Sequence, residues 1–252
     1  MEAPDTTEIL EPPRKFGPWQ GLWLVGGYLL ASFFGSVLVG LAWGIGIGIQ
    51  AGIHERAPVL SKPGIGVLAW SVLTGSLCAA AWGVFYTYQR AKPLLAVGEA
   101  QGVGWRRSAA PGYAMALALA IALVAVVWGL EKLIPPDVSK LTGPMEQLAR
   151  SHGWPRAVFI LLALVVAPPV EEFVFRGGLF ASLSRFGVAA VTLLTTLIFV
   201  LFHAADKIHY WLGFVDVALQ SLAAIFLRLR YRSLWPAILL HFLYNAALIF
   251  MV

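Results

Sequence analysis

Apolar runs of membrane-spanning length recur along the chain, and short polar connections separate them. A helix of about 20 apolar residues crosses the hydrocarbon core of a bilayer, so each run predicts one transmembrane helix. The pattern therefore predicts an all-α fold, a polytopic membrane helical bundle with about seven transmembrane helices. The first run, of 29 residues, is long enough to contain one further element, which would make eight. The seven runs are Gly21–Ile49, Gly64–Tyr88, Gly112–Leu130, Ala157–Phe180, Gly187–His203, Tyr210–Leu227 and Leu234–Phe250.

Composition and charge agree with a membrane protein. Hydrophobic residues make up 59% of the 252 residues and charged residues 12%, against about 25% charged residues in soluble domains. The net charge of +5 is spread over the short connections, so there is no basic domain for nucleic-acid binding, and the lipid bilayer is the expected partner. The single cysteine, Cys78, excludes an intramolecular disulfide and a cysteine-based zinc cluster.

The runs and connections divide the chain into four parts. The segment before the first run is acidic and lacks the basic start of a signal peptide, so the first run is predicted to be an uncleaved membrane anchor. In the long connection, four apolar residues at nearly helical spacing predict a helix along the interface, although Pro144 falls among them: Val138, Leu141, Met145 and Leu148. The parts are a cytoplasmic N-terminal tail (1–20), the N-terminal transmembrane helices (21–130), an extramembrane or interfacial connection (131–156) and a C-terminal transmembrane core (157–252).

Lysines and arginines are unevenly distributed between the two sides of the membrane. If the N-terminus lies inside, the inner connections contain eleven of these cations and the outer regions contain seven. Inner connections of membrane proteins are usually the more basic ones. We therefore expect the N-terminus in the cytoplasm and the C-terminus outside a plasma membrane.

The fourth run contains two glutamates and an arginine within its apolar sequence. A helix from Ala157 would place Glu171 roughly 20 Å into the bilayer, where an ionisable group is costly unless it is paired or faces water. Glu172 and Arg176 are four residues apart and share a helix face, so they are predicted to form an ion pair. Glu171 is rotated by about 100° from Glu172 and has no such partner. It is therefore our candidate general base, a group that takes a proton from water.

A pair of prolines lies just before these glutamates. Pro168 and Pro169 remove two backbone donors and should release the carbonyls of Leu164 and Val165, kinking the helix. Free carbonyls in a membrane attract water or a neighbouring helix. The alternative is that the kink only shapes the packing, since proline is common in membrane helices.

Two later runs contain histidines. His241 and Asn245 are four residues apart, so both point from one face of the last helix and both can donate a hydrogen bond to a developing oxyanion. His203 follows Phe199 by four residues at the end of the fifth run. A single intramembrane histidine more often links neighbouring helices, but two histidines, an asparagine and an unpaired glutamate on three helices favour a functional site. Asp216 in the sixth run has no adjacent cation, and three alternatives stay open for it: a cavity residue, a partner for Lys207 or Arg176, or a residue close to the interface.

The depths of Glu171 and His203 conflict in this simple picture. Counting along the spans puts Glu171 nearer the inner half of the membrane, and His203 about 16 residues, or roughly 24 Å, from the inner start of its helix. A shared site needs the two side chains close together. Strong tilt, a shifted start of the fifth helix or a deep water-filled cavity would be required.

These residues resemble the motifs of the CPBP family (CAAX protease and bacteriocin-processing, or ABI), a family of intramembrane glutamic endopeptidases. Each motif alone is weak, but all three in order on membrane spans are a strong signal. The resemblance covers about Ala157–Asn245, roughly the C-terminal third of the chain. Glu171, Glu172 and Arg176 fit the family's glutamate pair and arginine, Phe199 and His203 fit Phe-x-x-x-His, and His241 and Asn245 fit His-x-x-x-Asn/Asp.

The resemblance implies peptide-bond hydrolysis within the membrane, by a catalytic core at 157–252, on a peptide or membrane-protein substrate. It implies that Glu171 and His203 activate a water molecule. It also implies that His241 and Asn245 stabilise the tetrahedral oxyanion. The supporting residues would be Glu172, Arg176 and Phe199.

No cofactor or metal is predicted, although zinc bound by Glu171, His203 and His241 is an open alternative. The sequence contains neither an HExxH motif nor a cysteine positioned as a metal ligand. The alternative function is a non-catalytic membrane scaffold or bacteriocin-immunity protein, whose polar groups only hold helices together. A proton-coupled transporter would need an internal repeat, and the sequence shows none.

Overall fold

The computed structural model describes residues 16–54 and 63–251, and the predicted all-α fold is confirmed there. Apart from two short 3₁₀ turns in the connections, Lys92–Leu94 and Val138–Lys140, the secondary structure consists of helices. The helices are α1 (Pro18–Ile53), α2 (Ile65–Ala91), α3 (Ala110–Leu133), α4 (Pro144–Ala149), α5 (Trp154–Phe186), α6 (Val188–Phe202), α7 (Ala204–Lys207), α8 (Leu212–Tyr231) and α9 (Trp235–Met251).

The first two helices form an antiparallel pair. Gly35 of α1 and Gly75 of α2 let the backbones approach closely, because a Cβ on Gly35 would lie 2.8 Å from the Thr74 carbonyl oxygen. Small residues at such crossings are typical of membrane helices, where dispersion contacts replace the hydrophobic effect as the driving force. A side-chain bond from Trp82 Nε1 to the carbonyl of Leu24, 3.1 Å long, joins the same two helices nearer their other ends.

The helix α5 is not a regular α-helix. Two of its segments, Leu162–Val166 and Glu172–Leu179, have π-helical hydrogen bonding. Pro168 and Pro169 lie between these segments and lack the N–H groups that an α-helix would bond to the preceding turn. Where the sequence predicts a kink, the structure therefore changes helix type on both sides of the proline pair. Such π segments occur frequently at functional sites.

The second π segment lies at the centre of the bundle. All eight residues of Glu172–Leu179 are buried, and the segment contacts α1, α2, α6 and α8. The helix that contains both glutamates is therefore surrounded by protein on most sides. The main core cluster around it includes Leu24, Val174, Phe175, Leu179, Phe180, Val191, Phe199 and Ile225.

Helix length and surface character identify an integral membrane protein. Within the described residues, five helices are long and apolar enough to cross a bilayer: α1, α2, α3, α5 and α8. The apolar helices α6 and α9 are shorter, at 15 and 17 residues, so the count of seven crossings remains a prediction. Large apolar side chains on the outer faces are exposed, such as Leu38 and Ile121, as expected for contact with lipid.

Several predicted boundaries differ from the structure. The helix α1 begins at Pro18, three residues before the predicted first run, and continues without interruption for 36 residues. The helix α1 therefore contains no further element, although the predicted first run of 29 residues was long enough for one. Most of the predicted N-terminal tail, residues 1–15, lies outside the described residues. The helix α5 extends beyond the predicted fourth run at both ends.

The predicted interfacial helix is wrong as a single element. Its sequence forms a 3₁₀ turn and then the separate six-residue helix α4, which begins at Pro144 because proline is favoured at a first helical position. The carboxylate of Asp206 in α7 accepts a hydrogen bond of 3.1 Å from the N–H of Met145. This bond connects α4 to the segment that immediately follows His203.

A buried arginine fixes the connection between α2 and α3. Arg228 of α8 is completely buried and donates hydrogen bonds of 2.6–3.2 Å to four backbone carbonyls of that connection. Gly104, with φ of +79°, lies against this guanidinium, and a Cβ there would be 2.4 Å from Arg228 Nε. The four carbonyls belong to Gly98, Glu99, Gly102 and Val103.

Candidate active site

Three predicted site residues meet beside the proline pair of α5. Glu171 Oε2 lies 4.0 Å from Nε2 of His203, at the end of α6, and 4.0 Å from Nε2 of His241, in the first half of α9. The structure therefore places these three side chains together, although the roles assigned to them remain predictions. Glu171 has no ion-pair partner on its own helix face, and the two imidazoles that face it come from other helices.

The site is open on the His203 side. The side chain of His203 is 24% exposed, that of Glu171 11% and that of His241 only 4%. Within the described residues, Glu171 Oε2 makes no hydrogen bond. A buried carboxylate oxygen without a protein partner is a natural position for bound water. Of the three side chains, His203 is therefore the one at the solvent-facing edge of the site.

The true extent of α5 removes the predicted conflict in depth. The helices α5 and α6 form a hairpin that turns at Gly187, where φ is +84°. Glu171 and His203 each lie sixteen residues from Gly187, one on each arm. Because the two arms are equally long, the side chains reach the same depth. The conflict arose because the predicted fourth run ended at Phe180, whereas α5 continues to Phe186.

A hydrogen bond sets the protonation pattern of the His203 ring. Its Nδ1 lies 2.9 Å from the carbonyl oxygen of Phe199, one turn earlier in the chain. A carbonyl oxygen can only accept, so Nδ1 must be the protonated nitrogen. In the neutral ring, Nε2 is then a hydrogen-bond acceptor, and it is this atom that faces Glu171.

Glu172 links α5 to α9. Its Oε1 accepts a hydrogen bond of 3.0 Å from Nδ1 of His241, and it lies 3.3 Å from Nη1 of Arg176, four residues along the same helix. The predicted ion pair between Glu172 and Arg176 is therefore confirmed. The bond to His241 turns the Nε2 atom of that ring toward Glu171.

Phe199 lies between the side chains of His203 and Arg176. Its ring is completely buried and packs against the His203 ring at a centroid distance of 4.6 Å. The guanidinium of Arg176 lies 3.9 Å from the centroid of the same ring, a cation–π contact. Phe199 therefore packs between the His203 ring and the Arg176 guanidinium, and its supporting role stays a prediction.

Asn245 has a partner that the sequence did not predict. Its Nδ2 donates a hydrogen bond of 2.9 Å to the carbonyl of Ala163, inside the first π segment. In π register the donor to that carbonyl would be the N–H five residues on, and that residue is Pro168. The prolines thus release a carbonyl to a neighbouring helix, as predicted. The carbonyl involved is that of Ala163, whereas Leu164 and Val165 were predicted.

Sequence reasoning missed a second polar pair near the site. The hydroxyl of Tyr244, three residues after His241, donates a hydrogen bond to the carboxylate of Asp216 in α8. Asp216 and Lys207 line one small cavity beside α3. The signal was present in the sequence, since Tyr244 shares a helix face with His241. Its partner could not be found without the packing of α8 against α9.

Glu171, His203 and His241 are not spaced as the ligands of one metal ion. Within residues 16–54 and 63–251, no three His, Cys, Asp or Glu side chains are grouped so that they could hold a metal ion. The 4.0 Å contacts of Glu171 with the two histidines would have to rearrange before all three bound zinc at about 2.0–2.2 Å.

A comparison with family models identifies the C-terminal part of the chain. Residues 153–247 match the model described as Rce1-like, type II CAAX prenyl endopeptidase. They form an Rce1-like domain. The predicted resemblance to the CPBP family is thereby confirmed, and the matched segment includes every site residue named above from α5 to α9. No curated protein and no solved structure gives a significant match to the chain.

The Rce1-like domain indicates a membrane-embedded protease of the CAAX prenyl endopeptidase type, which acts on peptide substrates. The helices α1, α2 and α3 lie outside the matched residues. Two of them, α1 and α2, nevertheless contact the second π segment of the Rce1-like domain.

Proposed function

We propose that the protein is an intramembrane endopeptidase that hydrolyses membrane-associated or peptide substrates with Glu171 as general base. The position of Glu171 Oε2 supports this most strongly, because it lies 4.0 Å from two imidazole nitrogens, one of them on the partly exposed His203. That distance is too long for a direct hydrogen bond and short enough for one water molecule to contact both groups. A water molecule in this gap would be the nucleophile that hydrolysis requires.

In the proposed first step, this water molecule donates one proton toward Glu171 Oε2 and the other toward Nε2 of His203. His203 can accept because its other nitrogen donates to the Phe199 carbonyl. With both protons engaged, the oxygen lone pairs of the water face the substrate. Glu171 removes a proton while the water oxygen bonds to the carbonyl carbon, which produces a tetrahedral intermediate.

His241 and Asn245 are the proposed donors to the oxyanion of that intermediate. His241 already donates from Nδ1 to Glu172, so it supplies a donor from Nε2 in its doubly protonated form. Asn245 uses one amide N–H for the Ala163 carbonyl and retains a second one. Donors held in place before the reaction stabilise the developing negative charge at little reorganisation cost.

The last step returns the proton. Glu171 transfers it to the amide nitrogen of the intermediate, the carbon–nitrogen bond breaks, and the products are a carboxylic acid and a free amine. Glu171 is then ionised again and ready for another water molecule. This scheme uses only side chains of the protein and requires no cofactor or metal.

A glutamate-to-glutamine pair tests the general base. The protein is reconstituted in lipid nanodiscs, and cleavage is followed with quenched fluorescent peptides ending in Cys-aliphatic-aliphatic-X, with and without a farnesyl group. Glu171→Gln keeps the shape but cannot take up a proton, so kcat should fall by about 10²–10⁴-fold. The control Glu131→Gln changes a glutamate near the end of α3 and should keep the wild-type rate.

An unchanged rate in Glu171→Gln would contradict the proposal. A wild-type protein that cleaves no peptide but keeps a phenotype independent of Glu171 would favour the scaffold or immunity alternative. A chelator is added to the same assay, and the metal-free scheme predicts an unchanged rate. Inhibition that zinc reverses would instead favour zinc bound by Glu171, His203 and His241.

A further inference from the structure

Arg176 is buried without the hydrogen bonds that a guanidinium normally makes. It is completely buried, and its Nε, Nη1 and Nη2 atoms donate no hydrogen bond within the described residues. The contact of 3.3 Å with Glu172 Oε1 is an ion pair without hydrogen-bond alignment. A guanidinium has five N–H donors, and buried donors in folded proteins nearly always have a partner. The atoms that should accept from Arg176 are therefore missing from its protein surroundings.

Other unpartnered polar atoms lie on the neighbouring helix α6 and on α5 itself. Thr195 Oγ1 and Glu172 Oε2 are buried and have no hydrogen-bond partner among the described residues. Thr195 lies four residues before Phe199 on the same buried face of α6. Thr195 is therefore about one helical turn from Phe199, and the Phe199 ring is 3.9 Å from the Arg176 guanidinium.

The helix α8 adds one more such atom. Gln220 is buried, and its Nε2 has no partner among the described residues. The adjacent Ser221 contacts Thr196 through a hydroxyl pair 3.0 Å apart, which joins α8 to α6 next to Thr195. Unpartnered buried atoms thus lie on α5, α6 and α8, and α6 and α8 contact each other and the π segment that contains Arg176.

We propose that these atoms line a sealed pocket between α5, α6 and α8, and that ordered water molecules in it hydrogen-bond to Arg176. The walls offer both donors, on Arg176 and Gln220, and acceptors, on Glu172 and Thr195. Only a ligand that donates and accepts can satisfy both kinds of group, and buried water does this. An anion is disfavoured because Glu172 already lies beside Arg176 and Glu171 is its neighbour in the chain.

The pocket also helps to orient a residue of the candidate active site, His241. Water that holds Arg176 in place fixes Glu172, and Glu172 orients the His241 ring through the 3.0 Å bond to Nδ1. Thr195 and Gln220 are therefore positioning residues for His241. The existence of the pocket does not depend on the proposed function, whereas this positioning effect rests on it.

Two nearly isosteric substitutions test the pocket, because the change in Tm that they cause has opposite signs for a water-filled and a dry pocket. Thr195→Val and Gln220→Met remove polar atoms and keep the size of the side chain. If water fills the pocket, each variant deprives a bound water of a partner, and Tm in detergent should fall by roughly 2–4 °C. If the pocket is dry, each variant removes an unsatisfied buried group, and Tm should rise.

The matched control is Thr192→Val, which makes the same change at a half-buried position of α6 and should leave Tm unchanged. A rise of Tm in both test variants would overturn the proposal. A Tm of the wild-type protein that depends on exchanging chloride for gluconate would also overturn it, since it would identify an anion in the pocket. These measurements do not use protease activity, so they remain decisive if the proposed function fails.

A high-resolution experimental structure provides the second measurement. Water density within about 3.2 Å of the Arg176 nitrogens is the expected result, and an empty pocket would contradict it. In the cleavage assay, Gln220→Met should lower kcat several-fold and leave KM unchanged, because only the orientation of His241 is affected. An unchanged kcat would overturn the positioning role of Gln220.

Discussion

Two adjacent glutamates have different surroundings because they lie about 100° apart on one helix. Glu172 is completely buried, contacts Arg176 and accepts a hydrogen bond from His241. Glu171 faces the two imidazoles across 4.0 Å gaps. The first glutamate of the pair thus has the environment of a reacting group, and the second has that of a structural ion.

Thermal unfolding should separate these two roles. Glu172→Gln leaves the buried Arg176 without its counter-ion, and removing one partner of a buried pair costs about 3–5 kcal/mol. We expect a large fall of Tm in this variant. In Glu171→Gln we expect no fall of Tm, because Glu171 Oε2 has no hydrogen bond to lose within the described residues.

Both variants are measured in the same detergent by a thermal unfolding assay. A Glu172→Gln protein with the Tm of the wild type would show that the ion pair with Arg176 does not stabilise the fold. A Glu171→Gln protein that unfolds as early as Glu172→Gln would remove the distinction between the two glutamates.

At the scale of single residues, the sequence predicts contacts within a helix and misses contacts between helices. The spacing of Glu172 and Arg176 predicts their ion pair, since residues four apart share a helix face. The bonds from His241 to Glu172 and from Asn245 to Ala163 depend on how α9 is rotated against α5. No spacing in the sequence determines that rotation.

Among the secondary-structure elements, the connection between α2 and α3 depends most clearly on a single side chain. Arg228 binds four carbonyls of this connection, and its neighbour Val103 contacts the second π segment. A Cβ on Gly177 would lie 2.8 Å from Val103 Cγ1. The connection therefore packs directly against the helix that contains both glutamates.

Arg228→Lys should loosen this connection. The ammonium group of lysine cannot reach four carbonyls from one point, and losing hydrogen bonds to a buried charged group costs about 1.5–3 kcal/mol each. We expect a fall of Tm and faster cleavage of the connection in limited proteolysis. The control Arg230→Lys, at an exposed position two residues further on, should behave as the wild type. Equal proteolysis of the two variants would contradict this role of Arg228.

At the scale of elements, the apolar runs predict the positions of the helices but not their type. Each run coincides with a helix, because only helices satisfy the backbone of such a segment inside lipid. The π segments of α5 were not predicted, since Pro168 and Pro169 indicate a disturbance but not its form. The extension of α5 to Phe186 was missed because the residues after Phe180 include Ser182, Ser184 and Arg185 and no longer form an apolar run.

For the whole molecule, the distribution of charged residues predicts an orientation in the membrane. We propose a cytoplasmic N-terminus in a plasma membrane, because the connections assigned to that side contain most of the lysines and arginines. Ser108, before α3, would then be inside the cell, and Ser139, after α3, would be outside.

Cysteine labelling measures this orientation. Ser108→Cys and Ser139→Cys are made separately in a Cys78→Ala background, which has no other cysteine. A membrane-impermeant maleimide added to intact cells should label Ser139→Cys at once, and Ser108→Cys only after permeabilisation. The reverse pattern would show that the N-terminus lies outside, and equal labelling of both variants would show that α3 does not cross the membrane.

Residues 153–247 are recognisable by sequence as one unit, but the contacts of Gly178 cross the boundary of that unit. A Cβ on Gly178 would lie 2.6 Å from Leu24 Cδ2 in α1 and 3.0 Å from Thr87 Oγ1 in α2. Excision of the segment would uncover this close-packed surface, so we expect that the segment does not fold on its own. A chimaera with a homologous chain must therefore include α1 and α2 together with the segment. Otherwise the contacting residues on both sides of this interface must be redesigned.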